Sequence, residues 1–167
     1  MGLIANYRFI SDEKLEKLKN LDTHDVFFEM TEEENVETEI LLDIDKMWDA
    51  LHFVLTGASA TEPIGNNVLS KAIVGVTNIE GIEEFVAYTE KKTVEEIVKA
   101  LNDFDMENAM EKFDMQECKK ADLYPNIWDY EAEVDEIKEE LLNCFENMKD
   151  FYNEILKKKG NVLVTIY

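Results

Sequence analysis

The stretch "LDIDKMWDALHFVLTG" (Leu42–Gly57) decides the fold, because the spacing of its apolar residues changes within it. The residues leading into it, "VETEILLDI" (Val36–Ile44), are β-branched and apolar at the density of a strand. From Trp48 onward the period becomes helical: Trp48, Leu51, His52 and Leu55 stand at i, i+3, i+4 and i+7, and Met47, Phe53 and Val54 widen the apolar surface nearly around the helix. Asp45 offers an N-cap for that helix and Gly57 a C-cap. A strand that runs straight into a buried helix predicts an α+β fold. It also puts His52 in the interior, where Asp43 or Asp45 reaches it only through tertiary packing. A buried imidazole oriented by a carboxylate is one arrangement of a general base. The same surroundings satisfy the two nitrogens of a core histidine.

Working outward, "GLIANYRFI" (Gly2–Ile10) alternates Leu3, Ala5, Tyr7 and Phe9 to one side, as a strand does. Ser11 is placed to cap the helix "SDEKLEKLKN", with Asp12 and Glu13 suited to its first turn. "GIEEFVAYT" (Gly81–Thr89) reads as a further strand. Thr93 is then expected to cap "VEEIVKALNDF", where Val94, Ile97, Val98 and Leu101 form a clean helical stripe, and Asp105 to begin a weaker helix through "MENAMEKFD". Pro125 keeps Tyr124 out of the helical conformation, so "YPNIWDY" reads as a loop whose aromatics either pin it to the core or form a ligand clamp. From Tyr130 to Lys158, Val134, Ile137, Leu141, Cys144, Met148, Phe151 and Ile155 recur at steps of three and four. Lys157 to Lys159 complement that helix's C-terminal dipole, Gly160 ends it, and "NVLVTIY" is a closing strand. The expected architecture is one domain over residues 1–167, with about four strands near residues 2–10, 36–44, 82–88 and 161–167. They form a mixed or mostly antiparallel sheet, packed by several helices that include the long C-terminal one.

Thirty-eight acids against seventeen Lys and Arg give a formal charge of -21 at pH 7, which repels phosphate backbones and anionic lipid surfaces. Nucleic-acid and membrane binding are therefore disfavoured. Apolar residues at 46% are enough to close a core, so the acidity is not that of a disordered chain. "EMTEEENVETE" (Glu29–Glu39) holds six Glu and no base, and reads as a solubilising edge or as a docking surface for a basic partner. Cys118 and Cys144 lie far apart and form no paired motif, and no signal or myristoylation pattern opens the chain, so a cytoplasmic protein is expected. The sequence contains no nucleophile elbow, phosphate loop, zinc helix or EF-hand spacing. With His24 and His52 the only histidines, no metal site and no cofactor are implied.

The run "LDIDKMWDALHFVLTG", followed by "EPIGNN", "YPNIW" (Tyr124–Trp128), a long helix and a short last strand, resembles the YfbM-like bacterial family, a domain of unknown function. The start "MGLIANYRFIS" fits too, so the resemblance covers essentially the whole chain. It implies a small cytoplasmic α+β domain and carries no activity with it. One departure is visible: a Gly-Gly pair is usual in the middle segment, whereas Gly75 and Gly81 stand apart here.

Two functions from different classes follow. The first is a non-enzymatic acidic module that binds a basic protein, as a monomer or homodimer. The second is a small hydrolase or ligand-binding enzyme, with His52, Asp43 and Asp45 as catalytic candidates and Trp48, Tyr124 and Trp128 as ligand contacts.

Overall fold

The strands expected at the two ends of the chain become the centre of the sheet. In a computed structural model that describes residues 2–21 and 40–167, β1 (Ala5–Ile10) lies beside the last strand, β5 (Asn161–Ile166), along its whole length. β4 (Phe85–Thr89) pairs with the other side of β5, and β2 (Leu41–Asp43) and β3 (Thr77–Asn78) form the edges. The order is β2-β1-β5-β4-β3 and every pairing is antiparallel. Five strands replace the four expected. The extra one, β3, has only two residues, too few for a period-two pattern to register. The strand expected over 36–44 is β2, and residues 36–39 lie outside the described residues, as do His24 and the acidic run Glu29–Glu39.

Helix α1 (Asp12–Asn20) starts as its sequence requires, with the Ser11 side chain accepting the Lys14 N–H. It covers one face of the sheet, where Leu15 and Leu18 pack with Ile10, Val86 and Leu163. The opposite face carries Ala5, Tyr7, Val162, Val164 and Ile166 into the main core. There α2 (Trp48–Thr56), α3 (Val68–Val74), α4 (Lys91–Asp103), α5 (Met106–Glu111), α6 (Met115–Lys120) and α7 (Val134–Lys158) assemble. The 25 residues of α7 run about 37 Å at 1.5 Å per residue, and Ile137, Leu141, Cys144, Met148, Phe151 and Ile155 are its buried stripe. It begins four residues later than Tyr130, after a 3₁₀ turn at Glu131–Glu133. No described helix is long and apolar enough to cross a membrane.

Two expected caps are corrected. Asp45 does not cap α2: it sits in a turn at φ 46°, its N–H donated to the Asp43 carboxylate, and the helix starts at Trp48. Thr93 does not cap α4 either, because the helix begins at Lys91, whose N–H is taken by the Asn161 side-chain oxygen instead of by a local cap. Gly57 and Asp105 end and begin their helices as expected. The seven-residue α3 and six-residue α6 were not anticipated, although Asn67 and Asp114 cap them by accepting backbone N–H groups.

The short α3 is held from outside. Its Ala72 and Ile73 carbonyls accept the hydroxyls of Tyr152 on α7 and Tyr7 on β1, both fully buried, at 2.7 and 2.8 Å. Gly75 closes the helix at φ 72° and ψ -176°, and a Cβ there would stand 2.9 Å from the Ala87 Cβ. That backbone region is essentially reserved for glycine. Gly75→Ala is therefore expected to lower unfolding stability by about 1–3 kcal/mol, read from the urea midpoint at unchanged slope; a change within error would mean that the turn relaxes freely.

Candidate functional site

The two carboxylates expected beside His52 are not there. Asp43 and Asp45 are exposed on the far side of the β2–α2 turn, where Asp43 receives the Asp45 N–H at 2.7 Å. His52 is fully buried. Its Nδ1 lies 2.7 Å from the Ala58 carbonyl oxygen and its Nε2 lies 2.7 Å from the Ser70 hydroxyl. A carbonyl only accepts, so Nδ1 carries the proton and Nε2 accepts the Ser70 hydroxyl hydrogen. Ser70 in turn accepts the Ile64 N–H at 3.2 Å. Burial lowers the His52 pKa below 6.5, against the opposing pull of the Ala58 carbonyl and the charge of Asp49.

Asp49 is the buried carboxylate of this region, one turn before His52 on α2. Its Oδ1 accepts the Ser59 hydroxyl and the Ala60 N–H at 2.8 and 2.7 Å, and its Oδ2 accepts the Tyr124 N–H at 2.8 Å. Three donors compensate a charge that is 1% exposed. Asp49, His52 and Ser70 thus fix the loop after α2 at Ala58, Ser59, Ala60 and Ile64. Sequence reasoning missed Asp49 and Ser70. An acid among the apolar positions of a buried helix was a usable signal for Asp49; nothing local connects Ser70 to His52.

Trp48 and Tyr124 are brought together, stacked at 5.5 Å between ring centroids. Between them they hold the backbone of one residue: the Trp48 indole N–H donates to the Leu3 carbonyl at 3.1 Å and the Leu3 N–H donates to the Tyr124 hydroxyl at 2.8 Å. A Cβ on Gly2 would collide with that same hydroxyl and with Lys46. Trp128 stands apart, buried against Phe113 with its indole N–H on the Leu123 carbonyl. Both cysteines are buried and their thiols are pushed up to about 12, chiefly by desolvation, so neither supplies a thiolate near neutral pH. No group of three or more His, Cys, Asp or Glu among the described residues could hold a metal ion.

The fixed loop forms one wall of a groove of about 990 Å³. Phe85 and Ile166, paired across β4 and β5, line its floor; Ile64, Lys71 and Val74 line one side, and Val76, Asn78, Glu83 and Glu84 the other. Leu3, Trp48 and Tyr167 also contribute, and Gly75 lies within the lining, although the usual Gly-Gly pair is absent. Tyr124 and Trp128 are not part of it.

The sequence matches the profile of a family described as a domain of unknown function (DUF1877) over residues 1–165. It is 28% identical over 174 residues to protein YfbM of Escherichia coli strain K12, covering 99% of both chains. The crystal structure of YfbM, a protein of unknown function from Escherichia coli, superposes with a TM-score of 0.80 at 26% identity, covering 98% of this chain and 99% of that one. The chain belongs to the DUF1877 family.

The buried imidazole makes a pH prediction. The native state resists protonation below the ordinary value of 6.5 while the unfolded chain does not, so stability is full above that pH and falls as pH drops toward the lowered native value. Urea titrations from pH 8 to 5 are expected to show this loss in the wild type, and a His52→Gln variant to lack that part of the slope. Identical slopes would mean that His52 gains its proton without cost.

Proposed function

We propose that this DUF1877 protein is an acidic binding module for a basic protein partner. The observation that carries the reading is the charge of the folded surface. Eight of the acids fall in residues 22–39, so the described residues alone still hold thirty acids against seventeen Lys and Arg. Ion pairs among them are few, some within one helix turn, such as Lys120 with Glu117 and Lys157 with Glu154, and others between elements, such as Lys91 with Asp12, and they leave most carboxylates without a cation. Such a field accelerates encounter with a positive surface and rejects nucleic acid and anionic lipid.

Native mass spectrometry of the protein purified from its own cells tests this. A bound basic polypeptide is expected, with an affinity that drops by about tenfold or more as salt rises beyond the Debye-screening range, from about 0.05 to about 0.5 M. A complex indifferent to salt, or one with an acidic partner, would remove the reading.

A second reading, a small hydrolase or ligand-binding enzyme at His52, has one observation in its favour. The Ser70 hydroxyl donates to His52 Nε2 at 2.7 Å, which is how a general base holds a nucleophile's proton. Ser70 belongs to the groove's lining but is 1% exposed, and its oxygen already accepts the Ile64 N–H, so a substrate in the groove would reach it only once that contact opens. Treatment with a fluorophosphonate probe decides the matter. Labelling of Ser70 that is lost in His52→Gln supports an enzyme, and an unlabelled serine leaves the hydrogen bond a structural one.

A further inference from the structure

We propose that the groove between α3 and the β3–β4 hairpin is the docking site, and that its occupant is a short partner segment with apolar side chains flanked by Lys or Arg. This rests on the basic-partner reading and adds where the partner is held and what it presents. The described surface exposes seven large hydrophobic residues, and four of them, Leu3 (46%), Ile64 (38%), Val76 (46%) and Tyr167 (56%), line this one groove. Scattered apolar residues are ordinary on a surface, but a cluster of them inside a concavity marks an interaction site.

Charge selects the occupant. Glu83 and Glu84 flank the Phe85 floor, and no ion pair joins either to another described residue. Lys71 is the basic residue of the lining, on the opposite side. A segment lying across the floor therefore meets carboxylates at the hairpin and a single ammonium at α3. Lys or Arg next to an apolar residue satisfies the first, and a backbone carbonyl satisfies the second. An anionic segment would face two carboxylates with one cation to offset them.

The groove is also shaped in advance. Its α3 side is fixed by the Tyr7 and Tyr152 hydroxyls, and its loop side by Asp49, His52 and Ser70. Binding to a preorganised groove loses little to ordering the receptor, so a segment of a few residues suffices. A volume of about 990 Å³ lies at the upper end for a single small ligand.

Fluorescence anisotropy with three labelled peptides tests the proposal: an apolar core flanked by lysines, the same core flanked by glutamates, and a lysine–glycine peptide with no apolar residue. The first is expected to bind at least about tenfold more tightly than either of the others, because only it meets both the floor and the rim. Val76→Ser, a neutral change at an exposed position, should weaken it by a similar factor at every salt concentration. Glu83→Lys with Glu84→Lys should invert the preference between the lysine and glutamate peptides. Ile64→Asp on the facing wall serves as an independent probe, and thermal melts establish that each variant is folded.

Equal binding of the first and third peptides by folded wild type and variants would overturn groove docking while leaving a salt-sensitive basic partner standing. Failure of the first peptide to bind wild type would overturn the protein-segment occupant. Loss of salt dependence in the native complex would instead remove the basic-partner reading itself.

Discussion

The fold depends on one strand having neighbours on both sides. All six residues of β5 are buried, and they pair antiparallel with the six residues of β1 and the five of β4. Because β5 is the last element and β1 the first, the central pairing closes almost the whole chain, a contact of maximal sequence separation. Asn161 fixes the register where that strand begins. Its amide donates to the Ile10 carbonyl and the Asp12 carboxylate, and its oxygen accepts the Lys91 N–H. One buried side chain thus joins the end of β1, the start of α1 and the start of α4. A buried amide with all three contacts made is stabilising, whereas the same group with one partner missing costs about 1–3 kcal/mol.

The groove lies at the opposite end of the same strand, at Ile166 and Tyr167. Its floor inherits the rigidity of the sheet through the Phe85–Ile166 pairing, and its far wall is a helix of seven residues that would be marginal alone. The tyrosines that bind its last carbonyls come from β1 and α7, so the helix persists because the core holds it. The buried network at α2 acts similarly on the following loop. Asp49 and His52 stand three residues apart on one helix face and divide the work, the carboxylate holding backbone N–H and the imidazole a backbone carbonyl.

What the sequence reveals follows from how far each signal reaches. The stripe of α7, the alternation of β1 and the run of β5 are patterns of many residues that point the same way, and they lie where expected. Elements of two to seven residues, β3, α3 and α6, carry too few positions for a period to stand out. Two of the expected caps failed for another reason. Asp45 and Thr93 have the chemistry of N-caps, but Asp43 captures the first in a turn, and Asn161, seventy residues away, serves the N–H at the start of α4. His52 was legible as a buried histidine and Trp48 as a packing residue. The partners of His52 were not, since Ala58 and Ser70 become its neighbours only through the packing of α2 on α3. Membership of the family was the most legible feature, because it rests on a signature spread along the full length.

Acidity of this size raises a problem that, on the proposed reading, the groove answers. At physiological ionic strength a charge is felt over about 8 Å, so a surface carrying all but one of the thirty described acids would attract nearly any positive protein that comes close, with little discrimination. Exposed ion pairs add little to affinity, since each is worth about 1 kcal/mol or less. Specific recognition therefore needs something short-ranged: apolar area removed from water and carboxylates at fixed positions. Leu3, Ile64, Val76 and Tyr167 supply the first, and Glu83 and Glu84 the second. On the proposed reading, charge governs how fast a partner arrives and the groove governs which partner remains. The two contributions separate physically, because screening weakens the first and leaves the burial of apolar surface nearly untouched.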